Sequence, residues 1–337
     1  MTDALRRRPA LRQHRAAFQA AQAALALALS LAAATVRAET VAARMLLLDG
    51  AVVGADVIVV GERGTILRSS DNAQTWQRVA TPASATLTAV DFAPDAQHGW
   101  AVGHDALILA SNDGGRTWSQ QLQGKKIASD SHAPRGAGDA PTLEDSFLDV
   151  AALDAQRAIA VGAYGLCLVT TDGGKTWARK KIAADDYHLN RITRGPADTL
   201  YLAGEHGTLL RSLDRGAKWT PIPAPYDGSF YGVLPLDKRT LIAHGLRGRV
   251  YRSTDDGASW QQIATPEPVL LAAAVKLRSN FILLAGQART LLLSRDYGQS
   301  FSAVPAPPAT AVAALLELPD GNLLALGEAG ATILPKP

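Results

Sequence analysis

Apolar residues in this chain come in short bursts, and the bursts are grouped. One group shows the pattern: Leu87-Thr88-Ala89-Val90-Asp91-Phe92, a turn at Pro94-Asp95, Gly99-Trp100-Ala101-Val102 closing on Gly103, then Ala106 to Ala110. Short runs of this composition bounded by Gly, Asp and Pro predict strands joined by tight turns. The polar stretch Ser111-Asn112-Asp113-Gly114-Gly115-Arg116-Thr117-Trp118 predicts another turn, with a fourth strand beyond it. The group then recurs. Its closing glycine returns at Gly61, Gly103, Gly162, Gly204, Gly245, Gly286 and Gly327, at intervals of 42, 59, 42, 41, 41 and 41 residues. An aromatic follows each of the first six by 15 residues: Trp76, Trp118, Trp177, Trp219, Trp260 and Phe301. Two markers held in phase at a period near 41 predict an all-β fold, a seven-bladed β-propeller with one four-stranded blade per repeat.

The turn before each aromatic has the pattern Ser/Thr-x-Asp-x-Gly-x-Thr/Ser-Trp/Phe, centred on Asp71, Asp113, Asp172, Asp214, Asp255 and Asp296. This is the Asp-box, or bacterial neuraminidase repeat. The chemistry suits a tight link between third and fourth strands: Asp accepts from turn amides, Gly tolerates positive φ, and the aromatic packs beneath. These aspartates are expected to be structural, not catalytic. Ala73 replaces the glycine of the first box and Lys218 the hydroxyl residue of the fourth, so looser turns are expected there. The seventh repeat has no box and offers three strands, Val312 to Leu318, Asn322 to Leu326 and Ala331 to Leu334. Glu39 to Met45 is positioned in sequence to supply its missing outer strand and cover the open edge.

The N-terminus reads differently. Arg6, Arg7, Arg8, Arg12 and Arg15 precede an uncharged Ala/Leu-rich run from Ala23 to Thr35, followed by Val36-Arg37-Ala38. That is the layout of a secretory signal peptide over residues 1–38, with cleavage expected after Ala38 and residues 39–337 forming one propeller. The apolar run is shorter than the ~20 residues that cross a bilayer. Residues 1–38 hold six of the 34 Lys and Arg and one of the 31 Asp and Glu, leaving 28 basic and 30 acidic residues, net −2. A nucleic-acid partner would call for a concentrated basic surface, and none is expected. The mature chain is expected to be periplasmic, monomeric and not inserted in the membrane. Cys167 is the only cysteine and lies in the apolar run Leu166-Cys167-Leu168-Val169, which reads as a buried, inert thiol.

Propeller topology sends all six boxes to one face. The glycine-anchored hairpins and the blade crossings go to the other, where loops on a rigid scaffold carry function. That second face collects Arg63, His104, Tyr164, His206, Arg247 and Arg289 from the hairpins. The crossings add Tyr187, His188 and Asn190, then Tyr226 and Phe230. Arg and Tyr are the favoured anchors of protein interfaces, so these residues are the candidate partner site. An insertion at about residues 123–146 accounts for the 59-residue interval, and its Gly and Pro content reads as a flap over the same face.

Asp-boxes also raise an alternative, a sialidase-like or other Asp-box glycosidase or glycan-binding propeller. Arg63, Arg247 and Arg289 are available for an arginine triad, but no Tyr, Glu and Asp arrangement accompanies them and no Phe/Tyr-Arg-Ile-Pro motif occurs. Glycosidases of the xyloglucanase type need two carboxylates across a cleft between two propellers, and one propeller is expected here. No Ser-His-Asp elbow, phosphate loop or metal-spaced His/Cys cluster is present, so neither cofactor nor metal is expected. The repeats Val60 to Ser69 and Gly204 to Ser212 resemble the photosystem II stability/assembly factor-like family. Asp186-Tyr187-His188-Leu189-Asn190 and Tyr226-Asp227-Gly228-Ser229-Phe230 resemble its non-photosynthetic proteobacterial branch. The resemblance implies a non-catalytic factor that holds a membrane-protein complex or its periplasmic portion, in this branch an accessory of a resistance-nodulation-division-type transporter. The family's arginine patch is partly matched by Arg68, Arg211 and Arg252, with Ala110, Val169 and Leu293 at the equivalent positions.

Overall fold

The structure, a computed structural model, describes residues 45–125, 140–305 and 307–337. Seven antiparallel sheets follow one another along the chain, six of four strands and the last of three among the described residues. In the second blade the strands are Leu87–Phe92, Gly99–Gly103, Ile108–Ser111 and Ser119–Leu122, in simple up-and-down order. The expected signal peptide, the proposed closing segment Glu39 to Met45 except Met45 itself, and residues 126–139 of the insertion lie outside the described residues. Among the described residues no helix is long and apolar enough to cross a membrane.

Hydrophobic burial is divided among the blade interfaces instead of being pooled. Trp100, Val102 and Ile108 of blade 2 pack with Phe147, Val150 and Leu168 of blade 3. The other neighbouring pairs have cores of their own. Leu47, Val57 and Trp76 of blade 1 pack with Ala314, Leu324 and Leu326 of blade 7, so the ring is closed. Each fully buried aliphatic side chain there contributes ~1.5–3 kcal/mol.

The anchor glycines are required for space. Gly61, Gly162 and Gly245 are extended, with φ of −176°, −168° and 179°, which any residue adopts. A Cβ at these positions would run into the carbonyl oxygens of Leu46, Ser146 and Ser229, which enter the first strand of the same blade. A bulge follows at the start of that first strand in every blade.

The boxes use a reciprocal hydrogen-bond lock. Ser111 Oγ donates to Asp113 Oδ1 (2.8 Å) and accepts the Gly115 amide (2.9 Å). Asp113 in turn accepts the Thr117 amide (2.9 Å) and hydroxyl (2.6 Å). Two successive left-handed residues, Gly114 (φ 69°) and Gly115 (φ 81°), make the bend. The substituted turns keep this framework. Ala73 adopts φ 64° and its amide reaches Ser69 Oγ at 2.9 Å, at a strain of ~1–2 kcal/mol for a non-glycine residue. Lys218 still donates its amide to Asp214 (2.9 Å), so only the hydroxyl bond is lost and the turn is not loosened. The box aromatics are not equivalent: Trp76, Trp118 and Phe301 are buried, whereas Trp177, Trp219 and Trp260 are half-buried. Cys167 is fully buried, and burial pushes its thiol up to about 12.

Candidate partner-binding face

Box turns rest on the first hairpin of their own blade, as in Gly114 N to Gln97 O (3.0 Å) and Gly173 N to Gln156 O (2.9 Å). Second hairpins rest on the blade crossings, as in Gly165 N to Tyr187 O and Gly207 N to Gly228 O, both 2.9 Å. The two sets of loops therefore occupy opposite faces, and the predicted site lies on the box-free one.

Each second hairpin turns through a left-handed residue followed, in several blades, by a left-handed glycine. The first of these is Arg63 (φ 54°), Tyr164 (φ 52°), His206 (φ 48°) and Arg247 (φ 56°) in blades 1, 3, 4 and 5. Glycine would hold that conformation without the ~1–2 kcal/mol that an L side chain costs. Large polar and aromatic side chains stand there instead and are turned outward; Tyr164 is 70% exposed.

Blades 3 and 4 gather four of the predicted residues into one cluster. Tyr164 meets His188 edge to face with centroids 4.8 Å apart, and Tyr187 stacks on His206 at 4.2 Å. Glu205 organises the group: its carboxylate accepts the His188 amide (3.2 Å) and lies 3.4 Å from His188 Nδ1. Arg63, His104 and Arg247 are exposed at their tips. Arg289 is exposed too, but its Nε donates to Pro308 O at 3.0 Å, which ties it to the following crossing. Tyr226 is half-buried, edge-on to Phe230 and stacked on Tyr251, with the Arg249 guanidinium 5.5 Å from its ring centre.

Two predicted residues belong elsewhere. Phe230 is 0% exposed and forms part of the core between blades 4 and 5, because it begins an inner strand and points into the packed side. Asn190 is the bulged residue of its strand, and its Nδ2 donates to Phe230 O of the next blade at 2.8 Å. It is a blade-to-blade tie, as is Thr88, whose hydroxyl donates to Phe147 O at 2.9 Å.

The sequence reading missed the charged lining of the central channel, a cavity of about 300 Å³ walled by the first strands of all seven blades. Asp49 accepts the Val90 amide, Asp91 the Ala152 amide and Asp149 the Ile192 amide, so each carboxylate clasps the next blade. Arg191 reaches across to Asp49 (3.4 Å) and Asp149 (3.6 Å), and Arg194 pairs with Asp91 (2.7 Å). Burial raises the Asp149 carboxyl, with Arg191 opposing, while Asp149 and Asp49 hold Arg191 firmly protonated. Asp91, with 24% of its side chain open to the channel, is raised to about 6 by burial against the pull of Arg194. His244 is buried, donates from Nδ1 to Leu271 O (2.9 Å) and is lowered to about 4 by desolvation. The available signal was charge inside inner-strand runs, at Asp49, Asp91, Asp149 and Arg191. With its carboxylates engaged by amides and arginines, the channel is built as a clasp and does not present a free acid–base pair.

Comparison with known proteins places these features in context. Residues 68–133 and 139–267 match the family model described as Photosynthesis system II assembly factor YCF48. The photosystem II stability/assembly factor HCF136, chloroplastic, of Cyanidioschyzon merolae is 29% identical over 225 residues, covering 56% of this chain and 51% of that protein. The photosystem II assembly lipoprotein Ycf48 of Synechococcus sp. (strain CC9902) is 25% identical over 148 residues, covering 43% and 39%. The chain thus spans about half the length, or less, of the curated relatives it matches. Among solved structures, YCF48 from Cyanidioschyzon merolae superposes with a TM-score of 0.68 at 16% identity, covering 88% of this chain and 97% of that one. A structure described as YCF48 bound to D1 peptide gives 0.63 at 21% identity, covering 88% and 94%. At these identities the structural likeness speaks for the propeller fold.

Proposed function

The chain belongs to the photosystem II assembly factor YCF48 family, and from that premise we propose that it is a non-catalytic assembly factor that grips a client segment with its box-free face. The curated relatives are described as photosystem II assembly factors, and a similar solved structure is described as YCF48 bound to D1 peptide. The observation that carries the assignment to this face is the surface cluster of Tyr164, Tyr187, His188 and His206 where blades 3 and 4 meet. Arg63 and Arg247 stand exposed at the hairpin tips of blades 1 and 5 on the same face. Tyr and His in the blade 3–4 cluster supply contact area, and the arginines at blades 1 and 5 supply charge-assisted hydrogen bonds.

The third-strand arginines support the same choice, because each is already used inside the ring. Arg68 pairs with Asp56 (2.5 Å), Arg211 with Asp256, and Arg252 donates to Tyr297 O (3.0 Å). We place the chain in the periplasm after removal of residues 1–38, with an inner-membrane complex as client. A resistance-nodulation-division-type transporter is the client suggested by the resemblance of Asp186 to Asn190 and Tyr226 to Phe230 to the proteobacterial branch.

The test is affinity capture from solubilised membranes with a C-terminally tagged chain. An inner-membrane protein should be recovered with wild type and lost with the double variant Arg63→Glu, Arg247→Glu, whose melting temperature should match wild type. Equal recovery of the same protein by the double variant would place binding elsewhere.

A further inference from the structure

On the box side, the grooves between neighbouring blades are filled in a regular way. Arg211 of blade 4 reaches the carboxylate of Asp256 and its backbone oxygen (3.3 Å) in the blade 5 box turn. Arg252 of blade 5 donates to Tyr297 O in the blade 6 box turn. Arg68 of blade 1 pairs with Asp56, which Arg116 of the blade 2 box approaches at 3.7 Å. Between blades 2 and 3, where Ala110 takes the arginine's place, Gln121 spans the groove instead. Its Oε1 accepts from Trp100 Nε1 (3.0 Å) and Trp177 Nε1 (3.3 Å), and its Nε2 donates to Gly173 O (2.8 Å).

Between blades 3 and 4 the same position holds Val169, and the groove stays open as a cavity of about 600 Å³. Its floor is aliphatic, with Ile159, Val169 and Ile182. Five cationic residues and one carboxylate, Asp214, line it, and Asp214 is already bonded within its box. Arg157 and Arg215 share Asp154, and Lys181 lies 3.5 Å from Asp186. Lys180 and Lys218 have no ion-pair partner among the described residues. A further donor also lacks an acceptor. Trp118 and Trp260 give their indole N–H to Gly115 O and Pro223 O, and Trp177 to Gln121, but Trp219 Nε1 is buried with no partner. A buried unpaired donor is costly and marks a place where an acceptor belongs.

We propose that the blade 3–4 groove is a second recognition site, on the face opposite the hairpin tips, for an extended acidic peptide. An aliphatic side chain of the peptide lies on Ile159, Val169 and Ile182. A neighbouring carboxylate meets Lys180 and Lys218, and a peptide oxygen takes the Trp219 N–H. The blade 3 outer strand, Ala178–Arg179, is the edge of its sheet and runs straight into the groove-lining Lys180, Lys181 and Ile182, so its unpaired outer edge leaves room for an added chain. This site does not depend on the hairpin face being a client surface.

The test follows the indole N–H signals of the 15N-labelled full chain during titration with acetyl-Leu-Glu-Val-Glu-Leu-amide, using its Glu→Gln analogue as control. The Trp219 signal, assigned by its loss in Trp219→Phe, should shift and saturate with the acidic peptide. The Gln analogue should bind about tenfold more weakly or worse, as expected for losing a charge-assisted hydrogen bond. Val169→Arg, which installs the groove-filling arginine of blades 1, 4 and 5, should abolish the shift in a folded ring. Lys180→Glu with Lys218→Glu should weaken it similarly. No saturable shift at Trp219, equal binding of the Gln analogue, or full binding by Val169→Arg would each overturn the proposal.

Discussion

Replacing Gln121 with alanine is a direct test of how the blades are joined. One side-chain amide serves three groups from two blades: the Trp100 indole, the Trp177 indole and the Gly173 carbonyl. Trp100 is 2% exposed, so its orphaned N–H bears the full penalty of an unpaired buried donor; Trp177 is half-buried and recovers part of its loss from water. At ~1–3 kcal/mol for each buried orphan, Gln121→Ala should cost about 2–4 kcal/mol. Gln121→Glu keeps the acceptor but sets a carboxylate oxygen against Gly173 O, and should cost less than alanine near pH 4 and more near pH 8. Gln120, exposed on the same strand, is the control, and its alanine variant should stay within about 0.5 kcal/mol of wild type. Equilibrium urea unfolding reads all three, with Trp fluorescence reporting hydration of the blade 2–3 interface. If Gln121→Ala and Gln120→Ala unfold at the same midpoint, the amide bridge is not what holds blades 2 and 3 together.

The box tryptophans should differ by burial: Trp118→Ala should cost ~3–5 kcal/mol and half-buried Trp219→Ala about half as much, measured by the same unfolding. Asp172 and Asp255 are held at about 2, Asp172 by the Thr176 hydroxyl and amide and Asp255 by those of Ser259. Their stabilisation is present above 3.8 and lost as pH falls through 2, so Asp172→Asn should flatten the acid limb of a melting-temperature profile. His244, lowered from 6.5 to about 4, withdraws stability as pH falls through that window, whereas Asp91, raised from 3.8 to about 6, withdraws it as pH rises. His244→Asn should therefore turn the profile between pH 4 and 6 toward declining stability, and a rising profile would refute the assignment. N-terminal sequencing of exported protein should begin at Glu39.

Most of the ring was legible in the sequence because its markers are local. A glycine packed against the entering strand and an eight-residue hydrogen-bonded box each recur at one period, so blade number, strand order and the face carrying the boxes followed directly. Side-chain destinations depend on neighbours a whole repeat away and were less legible. Phe230 and Asn190 lie close in sequence to half-buried Tyr226 and exposed Tyr187, yet the inner strand turns Phe230 into the core and the bulge turns Asn190 onto the next blade. The Asp49, Asp149 and Arg191 clasp links blades more than 140 residues apart along the chain, with Arg191 to Asp49 separated by 142. The blade 3–4 groove is visible only by contrast with grooves that arginine or glutamine has filled.

The channel clasp bears on how such a chain finds its fold. Successive repeats that look alike can dock with the wrong neighbour, and misassembly of this kind is a characteristic hazard of repeat proteins. Apolar interfaces of similar composition discriminate poorly between correct and incorrect partners. Unpaired buried charges discriminate well, because a wrong neighbour leaves them stranded. Blades 1, 2 and 3 carry Asp49, Asp91 and Asp149, and blade 4 alone carries the answering Arg191 and Arg194. A collapsed ring with any of these blades out of sequence would strand a carboxylate or a guanidinium in its centre. The acidic and basic wall thus acts as an address system that favours the native order of blades over its rearrangements.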